Sequence, residues 1–243
     1  MLKGEEMAVP ESSNGHGLPS NWLLAALPEL ELERLRPHLR STSLPVGQIL
    51  HESGECIERV YFPDSGMVSL VLTSGDGTNV EVGIVGREGM VGTAALLQSN
   101  QTISQAIVQI AGCGWRLPAE VLRAEFKRGG LLQDQMLRYA QTLLMQTSQT
   151  ALCNRLHTVE ERLARWLLMA HDCVQSDTIG LTQEFIADML GTRRTGVTIA
   201  AGVLRQEGLI DYTRGYIKIT DHEGLKSAAC ECYPILHKQF AYR

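Results

Sequence analysis

Residues 181–198 read Leu-Thr-Gln-Glu-Phe-Ile-Ala-Asp-Met-Leu-Gly-Thr-Arg-Arg-Thr-Gly-Val-Thr. Thr182 suits a helix N-cap, because its hydroxyl can accept from an orphan amide of the first turn. Ile186, Met189 and Leu190 follow at helical spacing, and Ala187 is small where a second helix has to cross. Gly191 stands where the chain leaves the first helix, a position that often needs positive φ. Beyond the turn, Val197, Ala200, Ala201 and Leu204 form the buried stripe of a second helix over residues 193–206. Arg193, Arg194, Thr195 and Thr198 are left facing outward. Leu209, Ile210 and Tyr212, then Thr213-Arg214-Gly215, then Tyr216, Ile217 and Ile219 read as strand, tight turn, strand. The sum is a winged helix-turn-helix. Cationic and hydroxyl groups at the exposed start of its second helix suit the major groove, where arginine pairs bidentately with guanine. Arg214, at the wing tip, is placed for a phosphate. Helix-turn-helix units without DNA occur in helical proteins, but the wing behind this one favours DNA binding.

Charge follows the same division. The 243 residues carry a formal net charge of −5, which does not look like a nucleic-acid binder until it is divided along the chain. Residues 1–130 hold 10 Lys/Arg against 15 Asp/Glu, residues 131–180 hold 4 against 5, and residues 181–243 hold 8 against 7. Positive charge is therefore concentrated on the reading head, where phosphate attraction needs it. An acidic remainder limits non-specific adhesion to DNA. No apolar run approaches the length of a membrane span, so no membrane partner is expected. Residues 1–20 are polar and lack the apolar stretch of a signal peptide, and read as a flexible lead-in. Six cysteines are scattered without a disulfide framework, which fits reduced thiols and a cytoplasmic protein.

Working toward the N-terminus, residues 131–156 contain neither Gly nor Pro and read as one helix of about seven turns. Leu132, Met136, Ala140, Leu143 and Thr147 lie on one stripe, and Leu137, Leu144, Ala151 and Leu152 on a neighbouring one. Two apolar stripes imply two partners. One partner is expected to be a β-domain and the other a copy of the same helix, with Leu132, Met136, Ala140, Leu143 and Thr147 as the homodimer seam. Burial of both stripes within the monomer is the alternative. Residues 44–118 alternate short apolar segments (48–50, 60–62, 67–72, 80–84, 103–110, 113–117) with Gly-rich turns, the spacing of a sandwich or jelly roll. Residues 21–40 suggest two short helices broken at Pro28, and a helix over 160–173 leads into the head. The expected class is α+β: a lead-in (1–20), a double-stranded β-helix or jelly-roll sensor domain (21–130), a dimerisation helix (131–156) and a C-terminal winged helix-turn-helix domain (157–243).

This order of parts resembles the Crp/Fnr family of bacterial transcription regulators. The likeness covers nearly all of residues 20–225 and is strongest over 181–220 and over Thr158–Ala170, Thr-Val-Glu-Glu-Arg-Leu-Ala-Arg-Trp-Leu-Leu-Met-Ala. The resemblance implies a homodimer on an inverted-repeat operator in double-stranded DNA, with effector control through the roll and RNA polymerase as a protein partner. It implies phosphate contacts from Thr182 and Gln183 and base contacts from Arg194, Thr195 and Thr198. Family members reading the best-known operator carry an Arg-Glu pair and a second Arg four residues after that Glu. Here Arg194 is followed by Thr195, with Ile199 at the later position, so a different operator is expected.

The resemblance also puts a phosphate-binding cassette at Val85-Gly86-Arg87-Glu88-Gly89-Met90-Val91-Gly92, with Gly86, Glu88, Gly89, Gly92 and Thr93 as the candidate effector pocket. Such glycines could let amides approach an anion; ordinary turns between strands are the plainer account of them. A cyclic-nucleotide cassette needs a Glu after the last Gly and then an Arg. Thr93 stands at the first place and residues 101–106 contain no base, which argues against cyclic AMP because a buried phosphate needs a cation. No cofactor is assigned; a haem or another small effector stays open, and no cysteine lies in residues 1–30 to hold an iron–sulfur cluster. No metal site is assigned either. Cys230-Glu-Cys232 with His237 downstream has zinc-like elements, and two small residues on a terminal helix are the plainer account. The chain is read as no enzyme: a cupin site fails for want of histidines, and no nucleophile elbow or Walker loop is present. The rival class is a dimeric adaptor or small-molecule sensor module that does not bind DNA.

Overall fold

The computed structural model describes residues 19–97, 100–213 and 215–240. The lead-in thus lies outside the described residues, except for its last two. Helices α1 (Trp22–Ala25) and α2 (Glu29–Leu35) flank Pro28, as expected. Asn21 caps α1 by accepting from the amides of Leu23 and Leu24, and its Nδ2 donates to the carbonyls of Pro63 and Gly89. One fully buried side chain therefore caps the helix and fastens it to the β-domain, its polar atoms satisfied as burial requires.

The β-domain has strands β1 (Arg40–Leu44), β2 (Ile49–His51), β3 (Arg59–Pro63), β4 (Met67–Thr73), β5 (Asn79–Val85), β6 (Gln105–Ile110) and β7 (Gly112–Pro118). They pair antiparallel in two sheets, ordered β1-β7-β3 and β2-β6-β4-β5. Phe62, Val68, Val85, Val108 and Leu117 are wholly buried in the roll. Each such side chain contributes about 1.5–3 kcal/mol by leaving water. In this domain β1 and α3 (Ala119–Lys127) were not foreseen. Polar β1 (Arg-Ser-Thr-Ser-Leu) carries no alternation and is a strand because β7 pairs with it from Arg40↔Arg116 to Leu44↔Gly112. Helix α3 follows the roll directly and buries Leu122.

Helix α4 spans Leu131–Leu156, the Gly- and Pro-free run. Its seam needs correction. Leu132 and Met136 are 2% and 1% exposed, packed inside the chain with Leu24, Leu32, Leu35 and Leu122. Leu143 is half-buried and lies over Gly83 of β5. The bare stripe is the other one: Leu137 and Leu144 are 52% and 68% exposed, and Leu152 is also exposed. The physical reason is that the roll and the N-terminal helices took the face containing Tyr139 and Gln146, which helical periodicity alone cannot rank above its neighbour.

Helix α5 (Val159–Val174) opens on a capping box in which Thr158 and Glu161 serve each other's amides. The head continues through β8 (Thr178–Ile179), α6 (Gln183–Met189), α7 (Arg194–Gln206), β9 (Ile210–Thr213), β10 (Tyr216–Ile219), α8 (His222–Ala228) and α9 (Cys232–Phe240). The wing is a three-stranded sheet, β8-β10-β9, rather than a two-stranded hairpin. Head and roll share one core: Met67, Val71 and Ile84 of the roll lie with Leu163, Trp166, Leu167 and Ile186 of the head. Among the described residues no helix is long and apolar enough to cross a membrane.

Candidate nucleic-acid interface

Helix α7 buries Val197, Ala200, Ala201 and Leu204, the stripe expected of it. That burial orients the rest of the helix outward. Helix α6 lies across it, capped by Thr182, whose Oγ1 accepts from the Phe185 amide at 3.2 Å. Gly191 makes the turn with φ +56°, and a Cβ there would meet Val80 of β5 at 2.9 Å. The head thus touches the roll at the very turn that sets the angle between α6 and α7.

Thr182, Arg193, Arg194, Thr195 and Thr198 are exposed, and Gln183 is partly so. Thr198 donates to Gln183 Oε1 at 2.8 Å, joining the outer faces of the two helices. Arg194 Nη1 stands 3.6 Å from Glu184 Oε2, a solvent-exposed pair. Such a pair stabilises by no more than about 1 kcal/mol, so the guanidinium is readily given up to a base edge or phosphate. Arg193 is the N-cap of α7 without a side-chain cap bond, and no acidic residue occupies the first turn. The positive end of the helix dipole is left open to an anion. Arg214 lies outside the described residues. The outward face also carries Ile199, 65% exposed, and Val203. An exposed apolar side chain one turn along from Arg194 matches the thymine methyl group. It is visible in the sequence as the complement of the buried stripe.

The candidate effector residues do not line one cavity together. Glu88 lines a cavity of about 430 Å³ with Trp22, Arg87, Arg138, Tyr139 and Phe240. Gly86, Gly89, Gly92 and Thr93 do not line it. The Glu88 carboxylate accepts from the Gly86 amide at 2.8 Å, using the donor an anion would need. A Cβ on Gly89 would strike the Tyr139 hydroxyl, so that glycine is there for close packing. Burial pushes the Glu88 carboxyl above its ordinary range.

A second constellation lies elsewhere. Cys153, His157, Cys230 and Cys232 bring one ligand atom each within 4.8 Å of one another. His237 is not among them, being bound to Asp172 at 3.0 Å. The signal available in the sequence was Cys-x-x-x-His at the end of the long helix, which puts both side chains on one face.

Comparison with known proteins bears on both the roll and the head. The cyclic nucleotide-binding domain matches residues 41–128, and the Crp-like helix-turn-helix domain matches residues 161–228. None of the curated proteins compared matches the sequence. Among solved structures, FixK2 from Bradyrhizobium japonicum is 17% identical with TM-score 0.67, covering 79% of this chain and 98% of that one. A Crp/Fnr-family chain from Eubacterium rectale is 20% identical with TM-score 0.66, covering 85% and 96%. A Crp/Fnr-family transcriptional regulator from Thermus thermophilus is 20% identical with TM-score 0.64, covering 78% and 98%. At these identities the likeness speaks for the fold.

Proposed function

Since the chain belongs to the Crp/Fnr family of DNA-binding transcription regulators, we propose that it acts as a homodimer on an inverted-repeat operator. The carrying observation is the exposed face of α7, with Arg194, Thr195, Thr198 and Ile199 aligned above a fully buried stripe. Thr182, Gln183 and Arg193 flank that face and take the phosphate contacts, and Arg214, between the two wing strands in sequence, adds one more. The dimer seam is the bare stripe of α4: Leu137, Leu144 and Ala151 recur every seven residues, with half-exposed Ala140 and Thr147 three residues after the first two. That is a heptad seam, which a parallel copy covers. RNA polymerase is the protein partner in this reading and the cytoplasm its compartment. The effector differs from cyclic AMP, because Thr93 and the uncharged stretch 101–106 offer no cation for its phosphate.

Selection of binding sites from random DNA tests the reading. The expected product is an inverted repeat whose half-site centres lie about 34 Å apart, one helical turn. Affinity falls steeply with salt, as phosphate neutralisation demands. Enrichment of no sequence, together with a flat salt response, returns the chain to the adaptor class.

A further inference from the structure

We propose that Cys153, His157, Cys230 and Cys232 form a tetrahedral site for one zinc ion that clamps the C-terminal helix to the last turn of α4. The ligand set is three sulfurs and one imidazole, the composition of structural zinc centres. Cys153 Sγ lies 3.5 Å from Cys230 Sγ, and Cys232 Sγ lies 3.5 Å from His157 Nδ1. With Zn–S near 2.3 Å and Zn–N near 2.0 Å, the edges of such a tetrahedron are about 3.5–3.8 Å. All four ligand atoms stand within 4.8 Å of one another, so they surround a single ion. An iron–sulfur cluster would hold its thiolates apart around a multi-atom body.

The surroundings complete the site. Nδ1 of His157 faces the cysteines, and its Nε2 is 3.2 Å from Glu231 Oε1. That carboxylate fixes the tautomer in which Nδ1 is free to ligate, the outer-shell arrangement typical of zinc histidines. Gln149 Nε2 donates to Cys232 Sγ at 3.1 Å, a bond that favours the thiolate. Arg162 and Arg165, both buried, lie close enough to act electrostatically on Cys153 and offset the surplus charge of three thiolates. The three cysteines are almost wholly buried. Water is thus kept from the sulfurs, and the closed set of four protein ligands describes a structural rather than a catalytic centre. On binding, each thiol gives up its proton to solvent.

The position supplies the consequence. Cys153 and His157 belong to the last turn of α4 and its cap, immediately before Thr158 opens α5. Cys230 lies between α8 and α9, and Cys232 is the first residue of α9. An ion here adds a second connection between the long helix and the reading head, at the joint through which one would move against the other.

The test uses the full chain, without an affinity tag, expressed in zinc-supplemented medium and purified under reducing conditions. Elemental analysis is expected to give about one zinc per chain, and cobalt substitution to give the intense visible bands of a tetrahedral sulfur-rich site. Glu231→Gln, which keeps all ligands, is expected to weaken zinc binding about 10–100-fold in competition with a chromophoric chelator. Cys153→Ser and Cys232→Ser are expected to abolish it, and His157→Cys to retain zinc while strengthening the thiolate-to-cobalt charge-transfer band. If the serine variants do not fold, the wild-type cobalt spectrum decides alone. A metal-free chain in which all six thiols titrate, a Cys153–Cys230 disulfide, or the weak spectrum of octahedral cobalt overturns the proposal.

Discussion

Glu81 is a carboxyl strongly perturbed by its surroundings. It is buried on β5, where Ser69 donates to one carboxylate oxygen and Trp166 Nε1 donates to the other at 2.7 Å. Burial pushes its carboxyl up from 4.5 to about 7, against the lowering pull of those two donors and of Arg165. The folded chain therefore holds this proton more tightly than the unfolded one. Its stabilising contribution is complete below pH 4.5 and is lost as pH rises to about 7. The loss amounts to about 3 kcal/mol. Urea unfolding across that window should show the slope in the wild type and a flatter profile in Glu81→Gln. In the proposed reading, Arg194 is the residue that reaches a base edge. Arg194→Ala should cost roughly 1–3 kcal/mol per half-site and relax preference at one base pair. Ile199→Ser should leave the salt slope intact while weakening selection for one thymine. Unchanged site selection for Arg194→Ala would show that α7 does not enter the groove in this register.

At the level of elements, α4 is held to the roll by an arrangement that resembles strand pairing. Gln146 Oε1 accepts from the Ile84 amide at 3.0 Å, and its Nε2 donates to the Ile84 carbonyl at 3.3 Å. Strand β5 is at the edge of its sheet, and one side chain satisfies a backbone donor and acceptor that would otherwise be buried unpaired. A Cβ on Gly83 would lie 2.8 Å from Gln146 Oε1, so the glycine clears the approach. Gln146→Leu should destabilise by about 1–3 kcal/mol for each group left without a partner. Thermal unfolding checks this against the neighbouring exposed variant Ser148→Ala, which should be near neutral.

At the level of the whole molecule, the two stripes of α4 have separable duties. Asp at Leu137 and Leu144 together places like charges across the proposed seam while leaving the chain's own core untouched. Light scattering should report a folded monomer, and operator binding should lose its two-half-site geometry. Met136→Asp buries a lone charge in the monomer core and should unfold the chain. A double mutant that remains dimeric would move the seam elsewhere. Because the turn at Gly191 rests on Val80 and the cores of head and roll are continuous, α6 and α7 are coupled to the roll through direct packing.

The parts of this protein written in local periodicity were decided before folding. The stripe of α7, the cap at Thr182, the capping box at Thr158, the break at Pro28 and the bounds of α4 all follow from side-chain spacing and backbone preference. Three-dimensional neighbours decided the rest. Strand β1 exists because β7 pairs with it, and Gln146 is structural because an edge strand needed closing. Which stripe of α4 stays bare depended on the competition between two similar apolar faces for one roll. The cluster of Cys153, His157, Cys230 and Cys232 joins residues more than seventy positions apart. Spacing along a helix or strand is a property of the chain, whereas the pairing of distant surfaces is a property of the packed core, and no single stretch of sequence contains it.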